Sequence, residues 1–434
     1  MFNFIQNSTI IFKWVKHDSF LLSLYASSSL DLQKNKRMTS IDHYNFASKK
    51  ALVRVDFNVP LNKENFEITD DKRIRAALPT LQKILSEKGS AIVMSHLGRP
   101  KNGPEDQFSL KHIIKRIEEL TKAKVHFANN CIGEEAENLS SKLLPGEILL
   151  LENVRFHSEE TKGDLNFARL LSKLGDCFVN DAFGTAHRAH SSTCQIADFF
   201  PNDKMCGYLM ENEIKSAKEV MEDTKRPFTA IVGGAKVSDK VLIVENLLEK
   251  ADHIIIGGGM AYTFKKALGG SIGNSLCEDE RIGTCIDILE AAKQKGVSIH
   301  LPEDSIIADT FKNDANIQTS NSDSIEHNWM GLDIGPKASQ SFSDVILSSK
   351  TILWNGPMGV FEMPSFEKGT KNVAKAVAKA TESGAYSLIG GGDSAAAAKK
   401  FGVDHSVSHV STGGGALLEY FEGKVLPGIQ AIES

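Results

Sequence analysis

Charged and polar side chains follow the predicted strands in the first half of the chain. Asp56 and Asn58 come directly after the apolar run Ala51–Val55, and Arg73 follows the next loop. The residues after later runs are His96, Arg99, Arg155 and Arg188. Ligands of parallel α/β sheets bind beyond the carboxyl ends of the strands, and arginine is the preferred bidentate partner of carboxylate and phosphate. Each residue alone could form a surface ion pair, but their shared position predicts an anion-binding bowl.

Three glycine-rich turns in the second half each lie between a predicted strand and a predicted helix. They span Gly233–Lys236, Gly390–Ser394 and Gly413–Gly415. Unpaired N–H groups and the helix dipole make such helix N-termini favourable sites for phosphate. One turn is a weak indication, because tight packing alone can require glycine. Three turns in one half predict a phosphate-binding region.

Two lysines and an aspartate accompany these turns. Lys236 and Lys240 are four residues apart, which predicts both ammonium groups on one face of a helix, near its N-terminus. Asp393 stands beside the phosphate donors, where a carboxylate suits Mg²⁺ held jointly by the protein and a nucleotide. An alternative role for Asp393 is that of a helix N-cap, and both roles are compatible.

Other nucleotide-binding motifs match poorly or are missing from the sequence. Gly390, Gly392 and Ala395 formally fit a dinucleotide fingerprint, but they lie in the last third of the chain and do not open its first βαβ unit. The sequence contains no G-x-x-x-x-G-K-[ST] loop and no H-R-D or D-F-G set. A nicotinamide-dependent dehydrogenase is one competing hypothesis, and the misplaced fingerprint argues against it. The other is a non-catalytic nucleotide-binding or interaction protein on this fold, against which the lysines, Asp393 and the arginine bowl argue.

Short apolar runs alternate with amphipathic stretches from about residue 50 onward. Continuous apolar strands separated by helices are typical of parallel sheets covered on both faces. We predict an α/β fold with two doubly wound parallel-sheet (Rossmann-like) domains joined by a hinge. The N-terminal domain is placed at 38–210 and the C-terminal domain at 211–419, because Pro227 marks the end of the polar helix Glu211–Asp223. The polar segment Lys312–His327 is predicted to be a loop.

The composition is uneven along the chain. There are 50 Lys and Arg residues and 55 Asp and Glu residues among 434, a net charge of −5 that argues against a nucleic-acid partner. Nine of the eleven arginines precede residue 221, whereas 25 of the 34 glycines follow it. The two halves are therefore expected to bind different anionic partners. The six cysteines lack metal-site spacing and indicate reduced intracellular thiols, and no run approaches the ~18 apolar residues needed to cross a membrane.

The first 37 residues form a separate extension. They contain five basic and two acidic residues, many serines and two apolar patches. An acid-poor, serine-rich segment is compatible with organelle targeting, although such segments are usually richer in arginine. The alternatives are that translation starts at Met38 or that the extension is a disordered tail.

Nine motifs in the sequence resemble those of phosphoglycerate kinase. They are Val55–Pro60, Ser95–Pro100, Leu151–Phe156, Phe183–Arg188, Gly233–Lys240, Trp329–Asp333, Trp354–Pro357, Gly359–Glu362 and Gly391–Ser394. They occur in order from about residue 40 to the C-terminus, so the resemblance covers some nine-tenths of the chain.

The resemblance implies a glycolytic kinase that transfers the acyl phosphate of 1,3-bisphosphoglycerate reversibly to Mg-ADP, giving 3-phosphoglycerate and ATP. It implies that phosphoglycerate is bound by Asp56, Phe57, Asn58, Arg73, His96, Leu97, Gly98, Arg99, Arg155 and Arg188. The implied nucleotide-binding residues are Lys236, Lys240, Gly257, Gly258, Gly331, Leu332, Asn355, Gly359, Val360, Glu362, Gly391, Gly392, Asp393 and Ser394. The segment 420–434 is expected to pack back on the N-terminal domain.

An acyl phosphate already has a good carboxylate leaving group, so catalysis is expected to be alignment and charge neutralisation without a covalent nucleophile. The residues expected to act on the transferring group are Arg73, Lys236, Lys240, Gly391 and Gly392, with Mg²⁺ at Asp393. Because the two substrates bind different domains, direct in-line transfer requires hinge closure. A cytoplasmic monomer without nucleic-acid or membrane partners is expected.

Overall fold

The computed structural model describes residues 40–101 and 103–434, so the interpretations of the first 37 residues concern a segment outside the described part of the chain. Two six-stranded parallel sheets organise it into two lobes. The first sheet contains β1 Lys50–Val55, β2 Ser90–Met94, β3 Val125–Ala128, β4 Ile148–Leu151, β5 Cys177–Asp181 and β6 Lys204–Cys206. Its order is β3-β4-β2-β1-β5-β6. The predicted α/β fold class with two parallel sheets is confirmed.

The first sheet is apolar on both faces because helices cover it on both sides. Ala51, Leu52, Val53 and Val55 of β1 are all fully buried, as expected for a central parallel strand. Leu52 packs into one hydrophobic cluster and Val53 into another, so successive side chains enter opposite layers. The α-helices of this lobe are Lys72–Ser86, Ile114–Thr121, Glu134–Lys142, Ser158–Lys162 and Leu165–Ser172.

The remaining strands, in chain order, are β7 Phe228–Val232, β8 His253–Ile256, β9 Ser271–Ile272, β10 Ser298–His300, β11 Asp304–Ala308, β12 Ile317–Asn321, β13 Ser324–Ile325, β14 Met330–Ile334, β15 Thr351–Asn355, β16 Tyr386–Ile389 and β17 His409–Val410. The second parallel sheet has the order β10-β8-β7-β15-β16-β17. Its lobe contains the helices Val241–Leu247, Met260–Ala267, Ile282–Lys295, Pro336–Ser348, Lys368–Glu382, Gly392–Lys400 and Gly415–Phe421.

A smaller antiparallel sheet, β12-β11-β14, lies beside the second parallel sheet. The prediction of a loop over Lys312–His327 is wrong for part of that segment, because it contains β12 and β13. Strand β12 is mostly exposed and polar, so it lacks the apolar alternation that marks a strand. Its extended conformation is stabilised by antiparallel pairing with β11, which the local sequence does not indicate.

The helix Tyr208–Met221 connects the lobes, and its Met210, Ile214, Ala217 and Val220 belong to a core cluster shared by both sheets. The division that we placed between residues 210 and 211 falls inside this helix and stays a prediction. Near the C-terminus, the helix Pro427–Glu433 lies against the first lobe. There the Gly428 N–H donates to the Ala186 carbonyl at 2.8 Å.

Candidate active site

A cavity of about 410 Å³ lies beyond the carboxyl ends of the first sheet. The predicted residues that line it are Asp56, Asn58, Arg73, His96, Gly98, Arg99, Arg155 and Arg188. The third predicted glycine turn, Gly413–Gly415, lines this cavity as well. Most of these follow strands of the parallel sheet, and single 3₁₀ turns at Val154–Phe156 and Phe183–Thr185 position two of the arginines. Four arginines converge on one cavity, so the predicted anion-binding bowl has a concentration of positive charge that attracts anions.

Hydrogen bonds hold the rim of the bowl in place. The Asn58 Oδ1 accepts the Gly98 N–H at 2.8 Å, and Arg155 Nη1 donates to the Gly98 carbonyl at 2.9 Å. Asp56 accepts a hydrogen bond from Arg73, while Arg188 Nε donates to His187 Nε2 at 3.0 Å. Each guanidinium has five N–H groups, so these contacts leave other N–H donors available for a ligand.

The bowl is electrostatically unbalanced in favour of cations. Burial, reinforced by Arg54 and Arg188, lowers the pKa of Arg155 to about 10. Burial also lowers the pKa of His96 well below its ordinary value, and the neighbouring arginines lower it further. His96 is therefore neutral at neutral pH, while the arginines stay charged. Cations gathered with so few carboxylates create a site that favours an anion.

Two residues of the implied substrate set do not line the bowl. The side chains of Phe57 and Leu97 are buried in the hydrophobic core of the first lobe. The Phe57 N–H is occupied by Ser95 Oγ at 2.8 Å. Their side chains point into the core because they alternate with the polar residues beside them.

A second cavity, of about 470 Å³, is a slot in the second lobe. The predicted residues that line it are Gly258, Gly331, Leu332, Gly359, Val360, Glu362 and Asp393. A Cβ on Gly331 would lie 1.9 Å from the hydroxyl of buried Tyr262, so this backbone position admits no side chain. Gly257 does not line the slot, because the space beside it is filled by Met358.

Several residues that line the slot lie outside every motif found in the sequence, namely Tyr262, Asn274, Leu276 and Phe311. Phe311 is 58% exposed and Leu276 is 48% exposed, which is unusual for large apolar side chains. No spacing in the sequence marks them, because they come from a helix and from separate loops. Exposure in the folded chain identifies Phe311 and Leu276, whereas buried Tyr262 is identified by its contact with Gly331.

The remaining nucleotide-set residues lie next to the slot. Lys240 donates to Asn355 Oδ1, and Asn355 Nδ2 donates to the Gly390 carbonyl at 2.7 Å. Ser394 is buried and its Oγ accepts the Gly356 N–H at 2.6 Å. Burial lowers the pKa of Lys240, while Asp239 and Asp393 oppose that shift.

The predicted placement of Lys236 and Lys240 on one helical face is wrong. The helix begins at Val241, Lys240 is its N-cap, and Lys236 is exposed in the preceding loop. Glu278 holds that loop in a non-helical turn by accepting hydrogen bonds from Ser238 N at 3.0 Å and from Ser238 Oγ at 2.6 Å. This contact comes from a residue distant in sequence, so the spacing of the lysines could not indicate it.

Asp393 lies exposed in the first turn of the helix Gly392–Lys400, and Gly391 is the N-cap. The N-cap role that we considered for Asp393 is therefore wrong. Among the described residues there is no group of three or more histidine, cysteine or acidic side chains that could hold a metal alone. A single carboxylate beside a phosphate-binding turn does fit Mg²⁺, which commonly takes one or two protein ligands and completes its shell with phosphate and water.

A third cavity, of about 460 Å³, lies between the bowl and the second lobe. Arg73 lines it from the first lobe, and Gly391, Gly392 and Ala395 line it from the second. Arg73 also lines the bowl, so its side chain borders both spaces.

Within the described residues, no helix is long and apolar enough to cross a membrane.

A cationic bowl on one parallel-sheet lobe and a glycine-lined slot on the other define a two-lobed phosphotransferase. The chain belongs to the phosphoglycerate kinase family, whose family model, described as phosphoglycerate kinase, matches residues 41–424. It is accordingly a kinase with a carboxyl group as acceptor. The known reaction of the family is the glycolytic transfer of phosphate between 1,3-bisphosphoglycerate and ADP. The competing hypotheses of a nicotinamide-dependent dehydrogenase and a non-catalytic binding protein are wrong.

Relatives and solved structures agree over nearly the whole chain. The phosphoglycerate kinase of Porphyromonas gingivalis is 53% identical over 418 residues, covering 91% of this chain and 100% of that protein. The chloroplastic phosphoglycerate kinase of Volvox carteri is 48% identical over 385 residues, covering 89% and 83%. The structure of phosphoglycerate kinase from Coxiella burnetii aligns with a TM-score of 0.83 at 40% identity, covering 91% and 99%.

Proposed function

We propose that the chain transfers the acyl phosphate of 1,3-bisphosphoglycerate to ADP, reversibly and with Mg²⁺, in one direct in-line step. The observation that carries this proposal is the position of Arg73. It borders both the bowl and the cavity whose other wall is formed by Gly391 and Gly392. A phosphoryl group that passes between the lobes would therefore meet a guanidinium on one side and backbone donors on the other.

The first lobe would hold phosphoglycerate in the bowl. Its phosphate and carboxylate are both anions, and Arg99, Arg155 and Arg188 supply planar forks that bind such groups in pairs of hydrogen bonds. Asp56 and Asn58 would accept from the substrate hydroxyl, because they are the carboxylate and the carboxamide that line the bowl beside the arginines. This division explains why a bowl rich in arginine also retains a carboxylate.

The second lobe would hold the nucleotide in the slot. The backbone at Gly258, Gly331 and Gly359 would contact the adenine face, with Leu332 and Val360 beside it, and Glu362 would accept from the ribose. The phosphates would lie beside Lys236, Lys240, Asn355 and Ser394. The lysines would neutralise the phosphates, while Asn355 keeps Lys240 directed toward the Gly390 turn through its two hydrogen bonds.

The transfer itself needs charge stabilisation more than proton transfer. Arg73, Lys236 and Lys240 would bind the equatorial oxygens of the transferring group, aided by the N–H groups of Gly391 and Gly392. Mg²⁺, when bound with the nucleotide at Asp393, supplies further neutralisation of phosphate charge. Hinge closure between the lobes would bring the two sites together and exclude water, which would otherwise hydrolyse the acyl phosphate.

The enzyme is proposed to act as a cytoplasmic monomer, with 38–210 and 211–419 as its two domains and 420–434 as a segment that returns to the first. The thiol pattern supports a reducing compartment. The residues before Met38 leave an organelle as the competing location.

A coupled assay tests the proposed function directly. Purified protein should produce ATP from enzymatically generated 1,3-bisphosphoglycerate and Mg-ADP, and the same protein should consume ATP when given 3-phosphoglycerate. Loss of the signal on chelation of Mg²⁺ with EDTA, with recovery on adding excess Mg²⁺, is expected. Absence of ATP formation by folded protein would contradict the proposal.

A further inference from the structure

A fully buried arginine lies directly behind the bowl. Arg54, on β1, has no exposed surface. Its Nε donates to Ser192 Oγ at 2.8 Å, its Nη1 donates to the Val55 carbonyl, and its Nη2 lies 3.3 Å from His96 Nδ1. None of the motifs in the sequence singled out this residue, and it does not line the bowl.

A buried carboxylate balances this arginine through a serine. Glu160, in the short helix Ser158–Lys162, is also fully buried. It accepts the Ser192 N–H at 2.9 Å and the Ser192 hydroxyl at 2.6 Å. Burial lowers the pKa of Arg54, whereas Glu160 and Asp56 oppose that shift. A buried cation without a counter-charge is strongly destabilising. The Arg54–Ser192–Glu160 relay therefore stabilises the charged side chain of Arg54 in the interior of the lobe.

The contact between Arg54 and His96 determines where the imidazole carries its proton. A guanidinium has donors and no acceptor, so His96 Nδ1 must be the acceptor and the neutral ring must carry its proton on Nε2. The Asp56 Oδ1 is 3.9 Å from Nδ1, beyond hydrogen-bond distance, and does not compete for that position.

The other arginines around His96 also favour the neutral form of its ring. Arg73, Arg155 and Arg188 each oppose a positive charge on the ring. On the far side of the relay, His190 Nδ1 lies 3.8 Å from Glu160 Oε1, and burial lowers the pKa of His190 to about 4, so His190 adds no cation at neutral pH.

We propose that Arg54, supported by Ser192 and Glu160, is a positioning residue that holds His96 as a neutral Nε2–H donor to the bound phosphoglycerate. This inference rests on the proposed function, in which His96 contacts that substrate. The bowl then contains one donor without charge among several cations. Its hydrogen bond does not change as the pH moves through the range in which an ordinary histidine titrates.

Nitrogen NMR of the substrate-free full chain is the first test. With ¹⁵N-labelled histidine, the His96 signals, assigned by comparison with His96→Gln, should show an unprotonated Nδ1 and a protonated Nε2 from pH 5.5 to 8. A proton on Nδ1, or a charged ring within that range, would overturn the inference.

Substitution of the relay is the second test. Arg54→Met removes the donor to His96 Nδ1 and its charge, so the ring proton should distribute over both nitrogens. The pKa of His96 should also rise from its lowered value, which should move the acid limb of the kcat/KM profile for 3-phosphoglycerate to higher pH. We expect KM for that substrate to rise about tenfold and kcat to change less. Glu159→Gln is the matched control, because Glu159 precedes Glu160 but is exposed, and neither the spectrum nor the profile should change.

Ser192→Ala is the alternative variant if Arg54→Met does not fold. It cuts the link between Arg54 and Glu160 while retaining both charges, and it should raise KM for 3-phosphoglycerate about threefold with a shifted His96 Nδ1 signal. Lower activity with an unchanged His96 spectrum and pH profile would contradict the positioning role. Because the spectra need no substrate, they test this inference even if the wild-type protein makes no ATP, a result that would instead refute the proposed function.

Discussion

The arginines of the bowl favour anion binding, but their mutual repulsion lowers the stability of the fold. Four arginines converge on the bowl, and burial lowers the pKa of Arg155 and of His96. Like charges gathered in a cleft oppose folding and are tolerated where they serve a ligand. Arg73 and the turn at Gly391 line the same cavity from opposite lobes, so they give the sharpest tests.

Arg73→Ala should lower kcat far more than it raises KM for 3-phosphoglycerate. The reason is that Arg73 borders the cavity between the lobes, where charge develops during transfer, and loss of one such donor commonly costs about 10²- to 10³-fold in rate. Steady-state kinetics in both directions measure the effect. Arg75→Ala is the control, since Arg75 lies on the same helix but pairs with Asp71. A raised KM with unchanged kcat would assign Arg73 to ground-state binding.

Asp393→Asn should weaken the use of Mg-nucleotide while leaving the affinity for 3-phosphoglycerate nearly intact. The substitution keeps the size of the side chain and removes the carboxylate charge that suits Mg²⁺. The concentration of Mg²⁺ at half-maximal rate should rise about tenfold, measured at fixed total ADP. An unchanged Mg²⁺ dependence would remove the metal role.

At the scale of elements, the glycine turns bring backbone donors close to the ligand. Gly391 has a φ of 92°, and a Cβ there would lie 2.8 Å from Asn355 Nδ2. The same Asn355 accepts a hydrogen bond from Lys240, so crowding at the turn would disturb a lysine that we propose to bind phosphate. Glycine is thus needed at this position for conformation and for space.

Gly391→Ala and Gly384→Ala form a matched pair that separates these two requirements. Gly384 has a φ of 95°, but a Cβ added there would have no neighbour within 4 Å, and this glycine lies away from the cavities. Both substitutions should lower the free energy of unfolding by about 1 kcal/mol or more. Only Gly391→Ala should also raise KM for ADP, and equal KM values for the two variants would contradict a role of the Asn355 contact.

At the scale of the whole molecule, the lobes share the helix Tyr208–Met221 and the core that it enters. Buried Asp181, at the end of β5, accepts the Met210 N–H of this helix at 3.2 Å. Gly207 makes the close approach feasible, because a Cβ there would lie 2.3 Å from Asp181 Oδ1. The junction of the lobes therefore contains a carboxyl group that is removed from water.

Stability should fall as the pH rises because of Asp181. Burial raises its pKa to about 7, whereas an unfolded aspartate titrates near about 4, so the folded chain holds the extra proton between those values. The resulting stabilisation is complete below about pH 4 and is lost as the pH passes through about 7. Asp181→Asn lacks this titration, so its unfolding free energy relative to the wild type should rise by about 3 kcal/mol between about pH 5 and pH 8.

Chemical denaturation at the two pH values measures this difference. Asp198→Asn is the control, because Asp198 is exposed and its substitution should leave the pH dependence unchanged. If wild type and Asp181→Asn show the same pH dependence, Asp181 does not carry the proton that we assign to it.

Local sequence patterns predicted much of the fold and of the site. The runs that became β1, β2, β7, β8 and β15 are mostly apolar, with Arg54 of β1 as a buried charged exception, and such segments are stable where both faces of a sheet are covered. The arginines and glycine turns were found because they follow strands, and the carboxyl ends of parallel strands meet at one edge.

Contacts between distant residues account for what the patterns missed. Strand β12 is polar and depends on pairing with β11, and Glu278 keeps Lys236 out of the helix by binding Ser238. The relay from Glu160 to His96 likewise joins residues from separate segments.

By itself, the sequence determined the class of fold, the family and the two kinds of anionic ligand, because these depend on residue types and on short-range spacing. Only tertiary contacts place Arg73 at the border of two cavities, turn Phe57 and Leu97 into the core, and bring Arg54 Nη2 within 3.3 Å of His96 Nδ1. Those facts depend on distances between segments far apart in the chain, which residue types and local periodicity do not specify.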